Sequence, residues 1–107
     1  MNTKPAFHIA HATSEESGIS ERIIDLMLAT GGSISVSDGE AIVVRESRDK
    51  AAIADVMGST GEDYLILHRT GFARGWVRLI WGNGCDLLSD YSVGLESLLR
   101  PVLDAHP

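Results

Sequence analysis

Residues 33–46 read SISVSDGEAIVVRE, and the period of this stretch decides the fold. Ser33, Ser35 and Ser37 alternate with Ile34 and Val36, the two-residue repeat of a strand with one polar and one apolar face. Asp38-Gly39 follows, a pair that tolerates the positive backbone angles of a type I′ turn, and a second apolar run returns after it. The stretch is therefore expected to form a β-hairpin. With a two-residue turn, Ser37 faces Glu40, Val36 faces Ala41 and Ile34 faces Val43. Ile34, Val36, Ala41 and Val43 then share one face, and Ile42 and Val44 point the other way.

On the N-terminal side the period changes to that of a helix. In GISERIIDLMLATGG the residues Ile19, Ile23, Leu26 and Met27 form one apolar stripe. Ser17 or Ser20 is positioned to cap its start, and Gly31-Gly32 to end it. On the C-terminal side SRDKAAIADVMGSTG predicts a short second helix, capped by Ser47 or Asp49, with Ile53, Val56 and Met57 buried. DYLILHRT and GWVRLIWG have the β-branched and aromatic content of strands and are joined by a GFAR loop. Asn83-Gly84 reads as a second hairpin turn leading into a further strand within CDLLSDY, with Leu79 opposite Leu88, Val77 opposite Asp90 and Trp81 opposite Asp86. The tail SVGLESLLRPVLDA puts Leu95, Leu98, Leu99, Val102 and Leu103 on one helical side. Asp90 or Ser92 is placed to cap it, and Pro101 to end or kink it near its last turn.

The expected order is α-β-β-α-β-β-(β)-α. That order predicts an α+β two-layer sandwich, an antiparallel sheet of four to five strands with three helices. An N-terminal arm, residues 1–13, contains Pro5 and has no clear period, and Phe7 and Ile9 are its anchoring candidates. Residues 14–107 form a single domain. IIDLMLATG at 23–31 echoes IADVMGSTG at 53–61, matching at Ile, Asp, Met, Thr and Gly. Either shared capping chemistry or an internal duplication accounts for the echo.

A chain of 107 residues is long enough for one buried core and too short for two. Its net charge of -6 is the wrong sign for a protein whose chief ligand is a phosphate backbone. No apolar run has the length of a membrane span, and the start lacks the apolar segment of a secretory signal. Cys85 is the only cysteine and has no internal partner, which fits a reducing compartment. The expected location is the cytoplasm.

Neither face of the expected sheet is cleanly polar. Ile42, Val44, Trp76, Ile80, Leu87 and Tyr91 remain after one face is given to the core. A helix, the N-terminal arm or a second molecule must cover them, which points to a homodimer or a protein partner. From Tyr64 to Trp81 there are three arginines and no acid, and five of the six aromatic residues lie between 64 and 91. His68, Arg69, Phe72, Arg74, Trp76 and Arg78 are therefore the binding candidates, since arginine and aromatic side chains give large contacts at little ordering cost. The same residues suit single-stranded nucleic acid or another anion, with Arg69, Arg74 and Arg78 on phosphates. A plainer alternative is that these arginines pair with Glu62, Asp63, Asp86 and Asp90 on a solvated surface.

Other constellations are weaker. Cys85 with His68 and Asp86 has the residue types of a thiol nucleophile with base and orienting acid, but no nucleophile signature surrounds it. Asp86, Asp90 and Glu96 have the residue types of a metal or acid/base carboxylate site, but the structural readings are stronger: Asp86 sits just after a turn and Asp90 is placed to cap the last helix. His8 and His11 have metal-like spacing without a third ligand. No catalytic residues, metal or cofactor are assigned. GSTG at 58–61 follows a helix instead of opening one and has no Walker lysine.

SVSDGEAIVVRES, GSTGEDYL and GWVRLIWGNGCDLLSDYS together resemble a group of small bacterial and prophage-associated proteins that share the Asp-Gly-Glu hairpin and a Gly-Asn-Gly turn leading into Ser-Asp-Tyr. The resemblance covers most of the chain from residue 19 and implies no activity or site residues. It implies a mobile-element context, in which small acidic proteins often act by binding another protein. The expected function is a small acidic, non-enzymatic binding module that engages a protein partner or itself through 64–91.

Overall fold

Strand β1 (Ser33–Ser37) lies inside a five-stranded antiparallel sheet, with β2 (Ile42–Ser47) on one side and β3 (Glu62–His68) on the other. β4 (Gly75–Ile80) and β5 (Leu88–Tyr91) complete the order β2-β1-β3-β4-β5. Helices α1 (Ser14–Leu28), α2 (Lys50–Asp55) and α3 (Glu96–Ala105) complete an α+β fold in the order α-β-β-α-β-β-β-α. The computed structural model describes residues 7–105; residues 1–6 of the N-terminal arm, with Pro5, lie outside the described residues.

The two-residue period of the strands sorts side chains cleanly in the middle of the sheet. Ile34, Val36, Leu65, Leu67, Val77 and Leu79 are buried and form one core with Ile19, Ile23, Ile24 and Met27 of α1, Ile53 of α2 and Leu99 and Val102 of α3. All three helices thus pack on one face. Phe7 and Ile9 go to that side as well: Ile9 is buried, and its amide donates to Ser17 Oγ at 3.0 Å.

Both hairpins depart from the two-residue turns expected of them. Asp38–Ala41 is a four-residue loop in which the Asp38 carboxylate accepts from the amides of Glu40 and Ala41. Ser37 therefore pairs with Ile42, and two register shifts then bring Val36 opposite Val44 and Ile34 opposite Ser47. An extra residue reverses the face of everything beyond it. Val44 consequently packs on the core, and Val43 is 42% exposed, opposite to the faces expected for them.

In the second hairpin Leu79 does pair with Leu88, but a shift beyond them sets Arg78 against Asp90 and Val77 against Tyr91, in place of Ser89 and Asp90. Tyr91 therefore packs on the core. Ile80 donates to Leu87 O, while Gly84–Asp86 forms a turn of 3-10 helix that leaves Leu87 in helical backbone with φ -54 and ψ -44. Strand alternation does not hold there, and Leu87 is fully buried instead of lying on the outer face.

The helix ends also differ in detail. Thr13, not Ser17 or Ser20, caps α1 in a capping box: Glu16 N–H donates to Thr13 Oγ1 at 3.1 Å, and Thr13 N–H to Glu16 Oε1 at 3.0 Å. Glu16 Oε2 accepts from Gly82 N–H at 2.6 Å, so one buried carboxylate ties the start of α1 to the loop after β4. Burial pushes this carboxyl up, but amides of Thr13, Gly82 and Asn83 outweigh it and hold it below the ordinary value. Asp49 caps α2 as expected. Neither Asp90 nor Ser92 caps α3 with its side chain: Ser92 Oγ accepts from Trp76 N–H, and Asp90 from Tyr91 N–H. α3 continues past Pro101 to Ala105.

The echo between α1 and α2 holds at Ile23 and Ile53 and at Met27 and Met57, which are all buried in the same core. It fails at the helix ends. The left-handed glycine after α2 is Gly58, whose sequence counterpart is Leu28, and Thr30 and Thr60 bond different carbonyls, those of Met27 and Glu62.

Gly58 has φ +79, and a Cβ there would collide with the backbone oxygen of Ala10. Gly58→Ala is expected to lower stability by at least about 1–2 kcal/mol from the left-handed backbone alone, more with the collision. Gly61→Ala, where a Cβ meets nothing within 4 Å, should change little. Urea midpoints of the two variants check the contrast.

Candidate functional site

The outward-facing side chains of the strands make the face that no helix covers. The register aligns Ser35, Ile66 and Trp76 in one row and Ser37, Tyr64 and Arg78 in the next, with Ile42 beyond Ser37 and Asp90 beyond Arg78. Tyr64, Ile66, Trp76 and Ile80 are half-buried by their strand neighbours alone, and Ile42 is 41% exposed. None of the five belongs to the core or packs against it.

Aromatic contact organises the centre of this face. The Tyr64 and Trp76 rings lie 6.4 Å apart at 58°, and the Arg78 guanidinium sits 6.0 Å from the Tyr64 ring. Ser37, Tyr64, Ile66, Arg74 and Trp76 line a shallow concavity of about 410 Å³. Here the strand period of β3 and β4 does the positioning: every second residue must face away from the core, and at those places the sequence has Tyr64, Ile66, Trp76 and Ile80 instead of uniformly polar residues.

The six sequence candidates separate into three environments. Arg74 and Trp76 share the concavity. Arg78 is held by Glu62, with Nε at 2.9 Å and Nη2 at 2.8 Å from the same carboxylate oxygen, so of the acid pairings anticipated for the three arginines only this one is present among the described residues. His68 and Arg69 stand at the end of β3, where His68 Nε2 is 2.9 Å from Ser35 Oγ and Arg69 lies 4.2 Å over the ring of Phe72, itself 63% exposed. Tyr64 and Ile66 complete the face and were not among the candidates; the alternation in DYLILH was the signal for them.

Cys85 is exposed in the loop after β4, whereas His68 is at the far end of β3, about 20 Å away along a strand of this length. The thiol and the imidazole therefore share no cleft. His8 Nδ1 lies 3.4 Å from Ser17 Oγ, and among the described residues no three His, Cys, Asp or Glu side chains gather as a metal site. Among them, too, no helix is long and apolar enough to cross a membrane.

Asp63 is perturbed in the opposite direction to Glu16. It is buried on the core side of β3, where Oδ2 accepts from Gly58 N–H at 2.8 Å and from the Trp81 indole at 2.7 Å, and Oδ1 has no partner among the described residues. It is not a surface partner for arginine, as its neighbours in sequence had implied. Burial drives its carboxyl above the ordinary value; the Gly58 and Trp81 donors oppose that, and the charges of Asp38 and Glu62 add to it.

A carboxyl raised in the folded state binds its proton more tightly there than when unfolded. Its contribution is therefore favourable at low pH and declines as pH rises from the unfolded value through the folded one. Asp63→Asn removes that decline, so its stability relative to the parent should increase as pH is raised from about 4 to about 8. Denaturant midpoints across this range test it, and parallel profiles would contradict a raised carboxyl.

Comparison of the chain with protein-family models, with curated proteins and with solved structures finds no match, so the uncovered face and its chemistry stand on the geometry alone.

Proposed function

We propose that this protein is a non-enzymatic binding module that associates with a second copy of itself through the uncovered face of the sheet. The observation that carries the reading is the apolar group Ile42, Tyr64, Ile66, Trp76 and Ile80, over which no helix lies among the described residues. Aromatic side chains with arginine at the centre of such a face are the composition of a binding hot spot. Trp76 and Arg74 are the anchors from the candidate set, with Arg78 fixed beside them.

A second copy is favoured as occupant by the charges that flank the apolar group. Arg74 has no carboxylate partner among the described residues, and Asp90, on the same face, spends one oxygen on the Tyr91 amide. A surface with both signs around an apolar centre complements itself, as a two-fold interface requires. The exposed Cys85 thiol is consistent with a reducing compartment such as the cytoplasm.

Each copy has a net charge of -6, so long-range repulsion opposes self-association and salt screens it. Sedimentation equilibrium should show a monomer–dimer equilibrium that tightens between low and moderate salt. Ile66→Lys and Trp76→Glu should each leave a folded monomer whose unfolding midpoint, unlike the parent's, does not depend on protein concentration. A parent chain that stays monomeric to about 100 μM, weaker than specific interfaces of ordinary size, would overturn the second copy as occupant.

A further inference from the structure

The α1–β1, β2–α2 and β3–β4 loops meet at one end of the sheet, where Ser33 pairs with His68 and Ile34 with Ser47. They are pressed tightly together: a Cβ on Gly32 would stand 2.5 Å from the backbone oxygen of His68. Between them is a hollow of about 370 Å³ whose lining includes Ser33, Glu46, Arg48, His68, Arg69 and Thr70. It shares no lining residue with the Tyr64–Trp76 concavity.

The chemistry of this hollow contrasts with that of the chain. Two arginines and a histidine face one acid, Glu46, on a protein whose acids outnumber its Lys and Arg by 15 to 9. Neither Arg48 nor Arg69 has a carboxylate within ion-pairing distance among the described residues, and Arg69 only stacks on Phe72, which leaves its N–H edge unspent. Ser35 Oγ accepts from Glu46 N–H at 2.9 Å and lies 2.9 Å from His68 Nε2. In the tautomer whose Nε2 accepts from the Ser35 hydroxyl, Nδ1 carries the ring proton and is a further donor. Glu46 holds its place with φ 43, a left-handed backbone seldom adopted by a glutamate.

We infer that this hollow binds a small phosphate-bearing molecule, with Arg48 and Arg69 as the anion's forks and His68, Ser33 and Thr70 as further donors around it. Guanidinium groups match the geometry of phosphate oxygens with paired N–H bonds. The volume is in the range of small-molecule sites and exceeds what a bare phosphate fills, which favours an ester with a compact organic group. A long polyanion is disfavoured, because the remaining charge of the chain repels it while a single phosphate presents only two charges. This site is independent of the self-association proposed above.

The test is titration calorimetry with inorganic phosphate and with glycerol 3-phosphate, at ionic strength matched with chloride. Saturable binding with one site per chain is expected, tighter for the ester. Arg48→Ala and Arg69→Ala should each weaken it about tenfold or more, the effect of losing one charged hydrogen-bonding partner. Glu46→Gln should tighten it by removing the one opposing charge. No heat beyond the chloride control, or binding that survives Arg48→Ala with Arg69→Ala, overturns the inference. So does affinity for single-stranded DNA without affinity for either small phosphate.

Discussion

The strand period of two commits half of the sheet's side chains to a face that none of the three helices reaches, and most of the structure follows from how the chain meets that constraint. On the covered side the solution is ordinary: aliphatic residues from every element form one core. On the other side the chain places serines along β1, a tyrosine and an isoleucine on β3, and a tryptophan with an arginine on β4. Ser35 and Arg78 there are satisfied within the sheet. The apolar ones are shielded only by their lateral neighbours, which removes part of their surface from water but not all of it.

Two buried carboxylates fix the loops that the helices and strands leave behind. Glu16 takes an amide from the loop after β4, and Asp63 takes the indole of Trp81 from the same loop and the amide of Gly58 after α2. The Gly-Asn-Gly segment therefore serves as an anchorage and not as a bare turn. The two acids are treated differently by their surroundings: Glu16 receives enough amide donors to stay ionised easily, and Asp63 keeps one oxygen unsatisfied. A proton on Oδ1 removes the buried charge and leaves both hydrogen bonds of Oδ2 in place.

Element order and the core stripes of the helices were legible in the sequence because they rest on periodicity, a property that survives small errors of register. Ile23, Ile53, Leu99 and Val102 could be placed by spacing alone. Loop lengths could not. Asp38-Gly39 and Asn83-Gly84 both have the residue types of two-residue turns, yet each sits in a longer loop, because Asp38 prefers to bond the amides of Glu40 and Ala41, and Trp81 leaves the ladder for Gly61 and Asp63. The faces of Val43, Val44, Leu87 and Tyr91 were lost with those loops. On the uncovered face, Trp76 and Arg74 stood out in the sequence by composition. The separation of Arg78 from Arg69, and the approach of Arg48 to Arg69, depend on strands far apart in sequence, which no local pattern encodes.

The two outer strands have a further consequence. β2 pairs with β1 through two irregular steps, has Glu46 in a left-handed conformation and exposes Arg45, and β5 is four residues long with a shift in its own pairing. Neither rim offers the flat, regular ladder on which a foreign strand could add. The association proposed above is thereby confined to a plane and withheld from its borders. Two such planes joined about a two-fold axis close on themselves and leave no further plane for open-ended stacking.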